Sequence, residues 1–451
     1  MDRTTVPPHI SRLLRAILPV SLAALALLFV LGGISLAASS ARLSNTPIVY
    51  DQTIADIILQ VTTSTLEHEL AGLTGERPVV VAGSVYTIAT RHSYRAQAIS
   101  MATRYAYEQF AEFGLAVTYH NYTRDGHQLR NVVAEKSGLT HPEDTYLVTA
   151  HIDDLPEGDS APGADDNGSG SVAVLAAAQT LASHPFAHTI RFVLFTGEEQ
   201  GLLGSDAYAA DCAARGESIH GVVNLDMIGY NTGEPAFNLY ARSGTYPGAS
   251  GSRQLAEVFS NVVGLYNLNL APHRIHNDTY PLRWGSDQWS FLNRGYPAIL
   301  VIEDYAGYDF TPYYHTSNDR LDTLDLAFFR DLTRAAIATI AHLGHLLSSD
   351  SLGQLSGTVY EIGTARPLSG ATVAASCSTG YYTFTTLTDA SGLYSLSLPP
   401  KAYTLTTRTA APGHYVSIVS NVVVITNHLT IQDIALDPWL RWYLPRIPYD
   451  P

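Results

Sequence analysis

Four stretches of the chain are apolar almost without interruption: residues 146–148, 188–196 (HTIRFVLFT), 222–227 and 298–302. Runs of this kind suit strands that are covered on both faces. Apolar residues at helical spacing lie between and after them, over 171–183, 204–214, 252–263 and 286–293, and a long segment over 324–347 closes the unit. Upstream, Ile54, Ile57, Ile58, Val61, Leu66 and Leu70 mark a helix within 51–75, and residues 92–113 mark a second that ends at Gly114. Residues 115–122 and 128–136 read as strands. This alternation predicts an α/β fold with a mostly parallel sheet and helices on both faces. Beyond Gly353 the texture changes to short alternating runs bounded by Gly, Pro, Asp and Ser, the pattern of a small all-β sandwich. The chain therefore divides into a leading segment (1–43), an α/β unit (44–349), a β-sandwich (353–437) and a tail (438–451) with two Trp and four Pro.

The leading segment carries no charged side chain from 16 to 41. About 20 apolar residues cross a bilayer. Arg3, Arg12 and Arg15, against a single Asp2, precede that run, which keeps the amino terminus in the cytoplasm and the body outside. The expectation is a single-pass transmembrane anchor in the cell membrane. The rival is a cleaved signal, favoured by the small residues at 37–41, which would make the protein secreted. A formal charge of −15 and the absence of a Lys/Arg cluster argue against a nucleic-acid partner. Cys212 and Cys377 fall in different units, so neither a disulfide framework nor a thiolate metal site is expected.

Chemistry concentrates where strands end. In TAHIDDLPEGDSAPGADDNGSGSVAVL, residues 149–175, His and several carboxylates are crowded between a strand and a helix. Such charges repel and lose solvation when buried, and a divalent cation bound by imidazole and carboxylate relieves both. His151 and Asp153 stand two residues apart at a strand end, where alternation puts them on one side. Asp153 is thereby placed to hold the far nitrogen of His151. Glu198 and Glu199 follow the strand ending at Phe195, and neighbours on a strand face opposite ways. One of the pair can then bind metal while the other faces water. Asp226 is a lone acid after an apolar strand, and His315 sits in the polar loop YYHTSND. In a parallel sheet, ligands bind beyond the carboxyl ends of the strands, where these residues cluster. Five ligands serve two ions only if one carboxylate is shared.

The motifs AHIDD, PGADDNGSG, GEEQGLLGS, NLDMIGY, GSDQWSF and YYHTSND, in that order over about 51–347, resemble those of the co-catalytic zinc aminopeptidases of metallopeptidase family twenty-eight. The resemblance implies two Zn2+ ions and a peptide substrate. It makes Asp166, not Asp165, the bridging ligand, gives one ion His151 and Asp226, and gives the other Glu199 and His315. It also implies a cis peptide between Asp166 and Asn167. Glu198 takes the role of general base, Asp153 that of partner to His151, and Tyr314 that of a phenol that polarises the scissile carbonyl. The expected function is removal of amino-terminal residues from peptides outside the cytoplasm. Rival readings are a glutaminyl cyclase and a metal-free receptor on the same fold. The C-terminal unit resembles the carboxypeptidase regulatory-like, transthyretin-type sandwich. Met227, Trp284, Trp289, Phe310 and Tyr313 flank the motifs as candidates for an apolar side-chain pocket, and Glu303 or Asp304 as holders of a substrate amine.

Overall fold

Two short helices, α1 (Gln52–Leu59) and α2 (Thr63–Leu73), open the described chain, followed by the ribbon β1 (Val79–Val81) and β2 (Ser84–Tyr86) and by helix α3 (Ala96–Glu112). The computed structural model describes residues 48–438, except 125, 157, 280–282, 284, 308, 349–350, 378–382 and 410–415. The apolar run at 16–41 and the tail from 439 onward lie outside the described residues. Among the described residues no helix is long and apolar enough to cross a membrane.

The apolar spacing of 51–75, read as one helix, belongs to two. Thr62 ends the first and caps the second: its hydroxyl accepts from Thr65 N, and Thr65 Oγ1 accepts from Thr62 N. This reciprocal pair satisfies backbone donors that an uninterrupted helix would satisfy internally.

An eight-stranded sheet follows, made of β3 (Ala116–Arg124), β4 (His127–Lys136), β5 (His141–His151), β6 (His188–Phe195), β7 (Ser218–Leu225), β8 (Ala236–Arg242), β9 (Ala271–Asn277) and β10 (Ala298–Glu303). Its order is β3-β4-β6-β5-β7-β10-β8-β9. The centre, β6-β5-β7-β10, is parallel throughout. The flanks make the sheet mixed: β3/β4, β4/β6 and β10/β8 pair antiparallel, while β8/β9 is parallel again, so four of the seven pairings are parallel. Strands β8 and β9 escaped the sequence reading. AFNLYAR buries polar Asn238 among apolar neighbours, and APHRIHN is a half-exposed edge strand carrying Pro272, which belongs at an edge because it has no N–H to donate.

Alternate residues of the central strands serve two cores. Val148, Phe192, Val223 and Val301 face the larger one, with α1, α2, α3, α4 (Gly170–Leu181), α6 (Ala249–Leu265) and α8 (Leu326–Leu343). Leu147, Val193, Val222 and Leu300 face the smaller one, against α5 (Leu203–Arg215) and α7 (Gln288–Leu292). Phe110, Phe192, Phe259 and Phe328 are buried in the larger core, each contributing about 1.5–3 kcal/mol relative to exposure.

Eight further strands form the C-terminal unit: β11 (Gly353–Glu361), β12 (Thr372–Cys377), β13 (Thr383–Leu387), β14 (Leu393–Leu398), β15 (Ala402–Arg408), β16 (Ser417–Val423), β17 (Leu429–Ile431) and β18 (Ile434–Leu436). They make two four-stranded sheets, β14-β11-β17 with β18 also on β11, and β13-β12-β15-β16. Leu355, Val359, Val373, Tyr394, Tyr403 and Leu405 fill the space between them.

Candidate metal centre

The four parallel central strands deliver the chemistry at their carboxyl ends. His151 is the last residue of β5, Asp226 follows β7 directly, the Glu198–Glu199 pair follows β6, and His315 lies in the loop after β10. The two glutamates stand in a turn, not on the strand itself. Their divergence therefore comes from the turn and not from strand alternation.

Asp166 sits at the centre. It belongs to the irregular turn Ala164–Ser169 that leads into α4, with backbone angles φ −104°, ψ 93°. Its Oδ1 lies 3.4 Å from His151 Nε2, and its Oδ2 lies 3.2 Å from His315 Nε2. His151 Nε2 is also 3.3 Å from Asp226 Oδ1, and His315 Nε2 is 3.1 Å from Glu199 Oε2. Donor atoms of His151, Glu198 and Asp226 fall within 4.8 Å of one another, as do those of His151, Asp166 and Glu199. The peptide between Asp166 and Asn167 is cis.

The turn that presents Asp166 is built from its neighbours. Asp319, seven residues before the start of α8, accepts the backbone N–H groups of both Asp165 and Asp166 at 2.9 Å. Asn167 donates to Leu225 O and accepts from Gly170 N, which ties the turn to the end of β7. A Cβ at Gly170 would stand 2.3 Å from Asn167 Oδ1 and 2.6 Å from Leu225 O, so only glycine fits there. Gly163 enters the turn at φ +48°, a conformation that L side chains rarely adopt.

Asp153 links two parts of the site. Its carbonyl is 3.2 Å from His151 Nδ1, and its carboxylate is 3.6 Å away, so the nearer contact of that imidazole is the backbone. The carboxylate instead accepts from Ser93 Oγ at 2.9 Å and from Glu198 N at 3.3 Å. Ser93 Oγ in turn accepts from Gly197 N. Asp153 thus positions the Glu198 backbone as well as bordering His151.

The electrostatics call for positive charge. Burial opposes charge on His315, yet Asp166 and Glu199 outweigh it and hold the imidazole up to about 10. Burial likewise opposes charge on His151, where Asp226 and Glu198 raise it well above the ordinary histidine range. Burial and then Asp166 push Glu199 up to about 8. Asp166 Oδ2 and Glu199 Oε1 are buried without a hydrogen-bond partner. Orphaned carboxylate oxygens facing two imidazoles form the N/O donor set that zinc takes, so these residues fit the ions implied for them.

The walls over this floor are apolar: Met227, Ile302, Tyr305, Phe310 and Tyr314 line the pocket. Tyr314 is 39% exposed and stacks on His315 at a ring separation of 3.6 Å. Trp289 is packed in the smaller core, Tyr313 meets Tyr230 edge-on, and Trp284 lies outside the described residues. Neither acid offered for a substrate amine lines the pocket. Glu303 is fully buried, accepts from Thr311 N, and is pushed well above the carboxylate range by burial and then by Asp165. Asp304 accepts from Asn238 and from Gly307 N.

Three side chains that matter to the geometry drew no role from the sequence. Asp319 and Asp287 stood inside recognised motifs, while Arg91 had no signal at all. Asp287 is fully buried with both oxygens unpartnered, and burial, offset by His151, pushes it up to about 7. Arg91, also fully buried, donates to the carbonyls of Leu73, Ile152, Pro162 and Gly163 and borders Asp154. It joins the loop after His151 to the turn before Asp166.

The sheet gathers imidazoles and carboxylates at its carboxyl edge, a donor set suited to a metal ion, and the family comparison points to a peptidase. Residues 131–340 match peptidase family M28, and residues 354–437 match the carboxypeptidase regulatory-like domain. The chain thus carries a peptidase family M28 match over the larger unit and a carboxypeptidase regulatory-like match behind it. Leucine aminopeptidase 1 of Trichophyton equinum is 32% identical over 237 residues, covering 50% of this chain and 59% of that protein. A probable leucine aminopeptidase of Trichophyton verrucosum (strain HKI 0517) is 30% identical over 225 residues, covering 48% and 57%. The chain spans less than two thirds of the length of these relatives. Among solved structures, LapB from Legionella pneumophila superposes with a TM-score of 0.54 at 23% identity, covering 67% of this chain and 78% of that one, a likeness of fold.

Proposed function

We propose that this chain is a zinc-dependent aminopeptidase that removes amino-terminal residues from peptides outside the cytoplasm. The observation that carries the reading is the Asp166 carboxylate, whose two oxygens face His151 and His315 separately at 3.4 and 3.2 Å. A carboxylate so placed suits a pair of ions, with Asp226 completing the set on the His151 side and Glu199 on the His315 side. Zinc held there would supply Lewis acidity toward a peptide carbonyl and make water a better proton donor.

Glu198 is assigned the proton transfers. It stands within the His151–Asp226 group, and its carboxylate would accept a proton from water and pass it to the departing amine. Burial, and then Asp226, Asp287 and Glu199 against the opposing His151, lift it well above the ordinary carboxylate range. Asp153 would keep Glu198 and His151 in mutual register. The Tyr314 phenol, at the pocket rim, is assigned a hydrogen bond to the carbonyl oxygen. The apolar walls at Met227, Ile302 and Phe310 suit a Leu-like side chain at the cleaved residue, in line with the names of the fungal relatives. The uncharged run at 16–41 supports membrane anchoring, or secretion if it is removed.

A panel of aminoacyl amides assayed with and without a chelator tests the proposal. Leucyl amide is expected to be cleaved, the activity to vanish on chelation, and added Zn2+ to restore it. Cleavage that is untouched by exhaustive chelation, or no cleavage across the whole panel, would refute it.

A further inference from the structure

The other end of β5, ten residues and about 30 Å of strand before His151, gathers a second set of donors that catalysis does not use. The register between β5 and β6 slips there: His141 lies opposite His188, but the next pairing is Thr145 with Thr189, so residues 142–144 loop out. The loop carries Glu143 and Asp144. The bulge turns Asp144 toward both flanking strands. Its Oδ1 lies 2.8 Å from His220 Nε2 on β7, and its Oδ2 lies 3.8 Å from His188 Nδ1 on β6.

Those two distances mean different things. At 2.8 Å, His220 stands in ion-pair contact with the carboxylate, and the Ser218 hydroxyl links the two, 2.8 Å from His220 Nε2 and donating to Asp144 Oδ1 at 3.4 Å. At 3.8 Å, His188 makes no hydrogen bond, and its Nδ1 is buried without a partner. Two donors each about 2.0–2.2 Å from one ion stand some 3–4 Å apart, so the gap fits a shared cation. His141 stacks on His188 with ring centroids 5.4 Å apart. Donor atoms of His141, Glu143 and Asp144 come within 4.8 Å of one another. A plain ion pair is the competing account, and it needs His188 protonated. The 3.8 Å gap and the unpartnered Nδ1 are not those of a closed pair.

We propose that His141, Asp144 and His188, with Glu143 as a movable fourth ligand, form an additional binding site for a divalent first-row transition ion of the Zn2+ type. Imidazole nitrogen with carboxylate oxygen suits that class of ion over Ca2+ or Mg2+, which prefer all-oxygen shells. Asp144 and His188 are the better-buried members, with side chains 26% and 21% exposed, while His141 and Glu143 close over the ion from the surface at 57% and 68%. The ion would staple the bulged start of β5 to β6, and His220 would act by holding Asp144 from behind. The proposal is independent of the catalytic reading, since none of these residues belongs to the pocket.

The test counts zinc. Full-length chain is stripped with chelator, reloaded with Zn2+, desalted and measured for zinc per chain by elemental analysis. The double variant Asp144→Asn/His188→Gln is expected to hold one zinc fewer than the wild type, with turnover of any cleaved aminoacyl amide unchanged. His141→Ala, at a side chain 57% exposed, is expected to weaken the corresponding Kd by at least about tenfold. If the double variant fails to fold, this single variant decides. Equal zinc content and equal affinity in wild type and His141→Ala would overturn the site.

Discussion

Glu198→Gln is expected to lower turnover of an aminoacyl amide by about 10²- to 10⁴-fold, the range that a positioned general base contributes. The substitution keeps shape and removes only the ability to take a proton. The backbone at this position is held independently, because Glu198 N donates to Asp153 and Gly197 N to Ser93. The turn should therefore survive, and KM should change little. Zinc content is the necessary control, since Glu198 adjoins His151 and Asp226. Loss of kcat with full zinc occupancy supports the assignment. Less than a tenfold loss, with the ions in place, would transfer the role to another group, and Asp287 would be the first to examine.

The second large effect is on stability. Arg91→Met is expected to destabilise the α/β domain by about 3–5 kcal/mol at pH 8, the usual result of stripping one partner from a buried charge pair. Melting would fall by an amount on the order of 10 °C. The guanidinium serves four carbonyls as well as Asp154, so its loss leaves several buried acceptors without donors. The pH dependence follows from Asp154. Burial, against the opposing pull of Arg91, raises that carboxyl from 3.8 to about 7. A group raised in the folded state adds stability that is complete below its unfolded value and is lost as pH rises through about 7. Removing Arg91 raises the folded value further, so the deficit relative to wild type should widen above pH 7 and narrow near pH 5. Thermal melts of both proteins at pH 5 and pH 8 measure this. An equal deficit at both values would show that Asp154 is not the group responsible.

Much of the site could be read before the structure because apolar runs mark where strands end. His151, Glu198, Glu199 and Asp226 each stand within four residues of such an end. His315 was legible only through its company, Tyr314 before it and the motif around it. Less visible were contributions that depend on tertiary approach. Asp319 meets the Asp165 and Asp166 amides across more than 150 residues, and Arg91 meets Gly163 across 72. Neither shows in a local period. Two strands of the sheet were missed for a related reason. Strand β9 is polar because one edge of it meets solvent, and β8 carries a buried Asn that Asp304 satisfies. The split between α1 and α2 has no Gly or Pro to announce it, only a threonine able to cap.

The loop that bears His315 has a property with practical weight. Between Thr311 and Asp319, both buried, residues 312, 314 and 316–318 are exposed, and the imidazole is the side chain turned inward to the ions' ligands. One short strap thus provides a donor atom, the clasp behind Asp166, and the aromatic lip of the pocket. These three cannot be tuned separately. An engineer who grafts a different strap to broaden the accepted side chain will alter how firmly the cations are retained in the same stroke, and selection for one trait in a library will carry the other along.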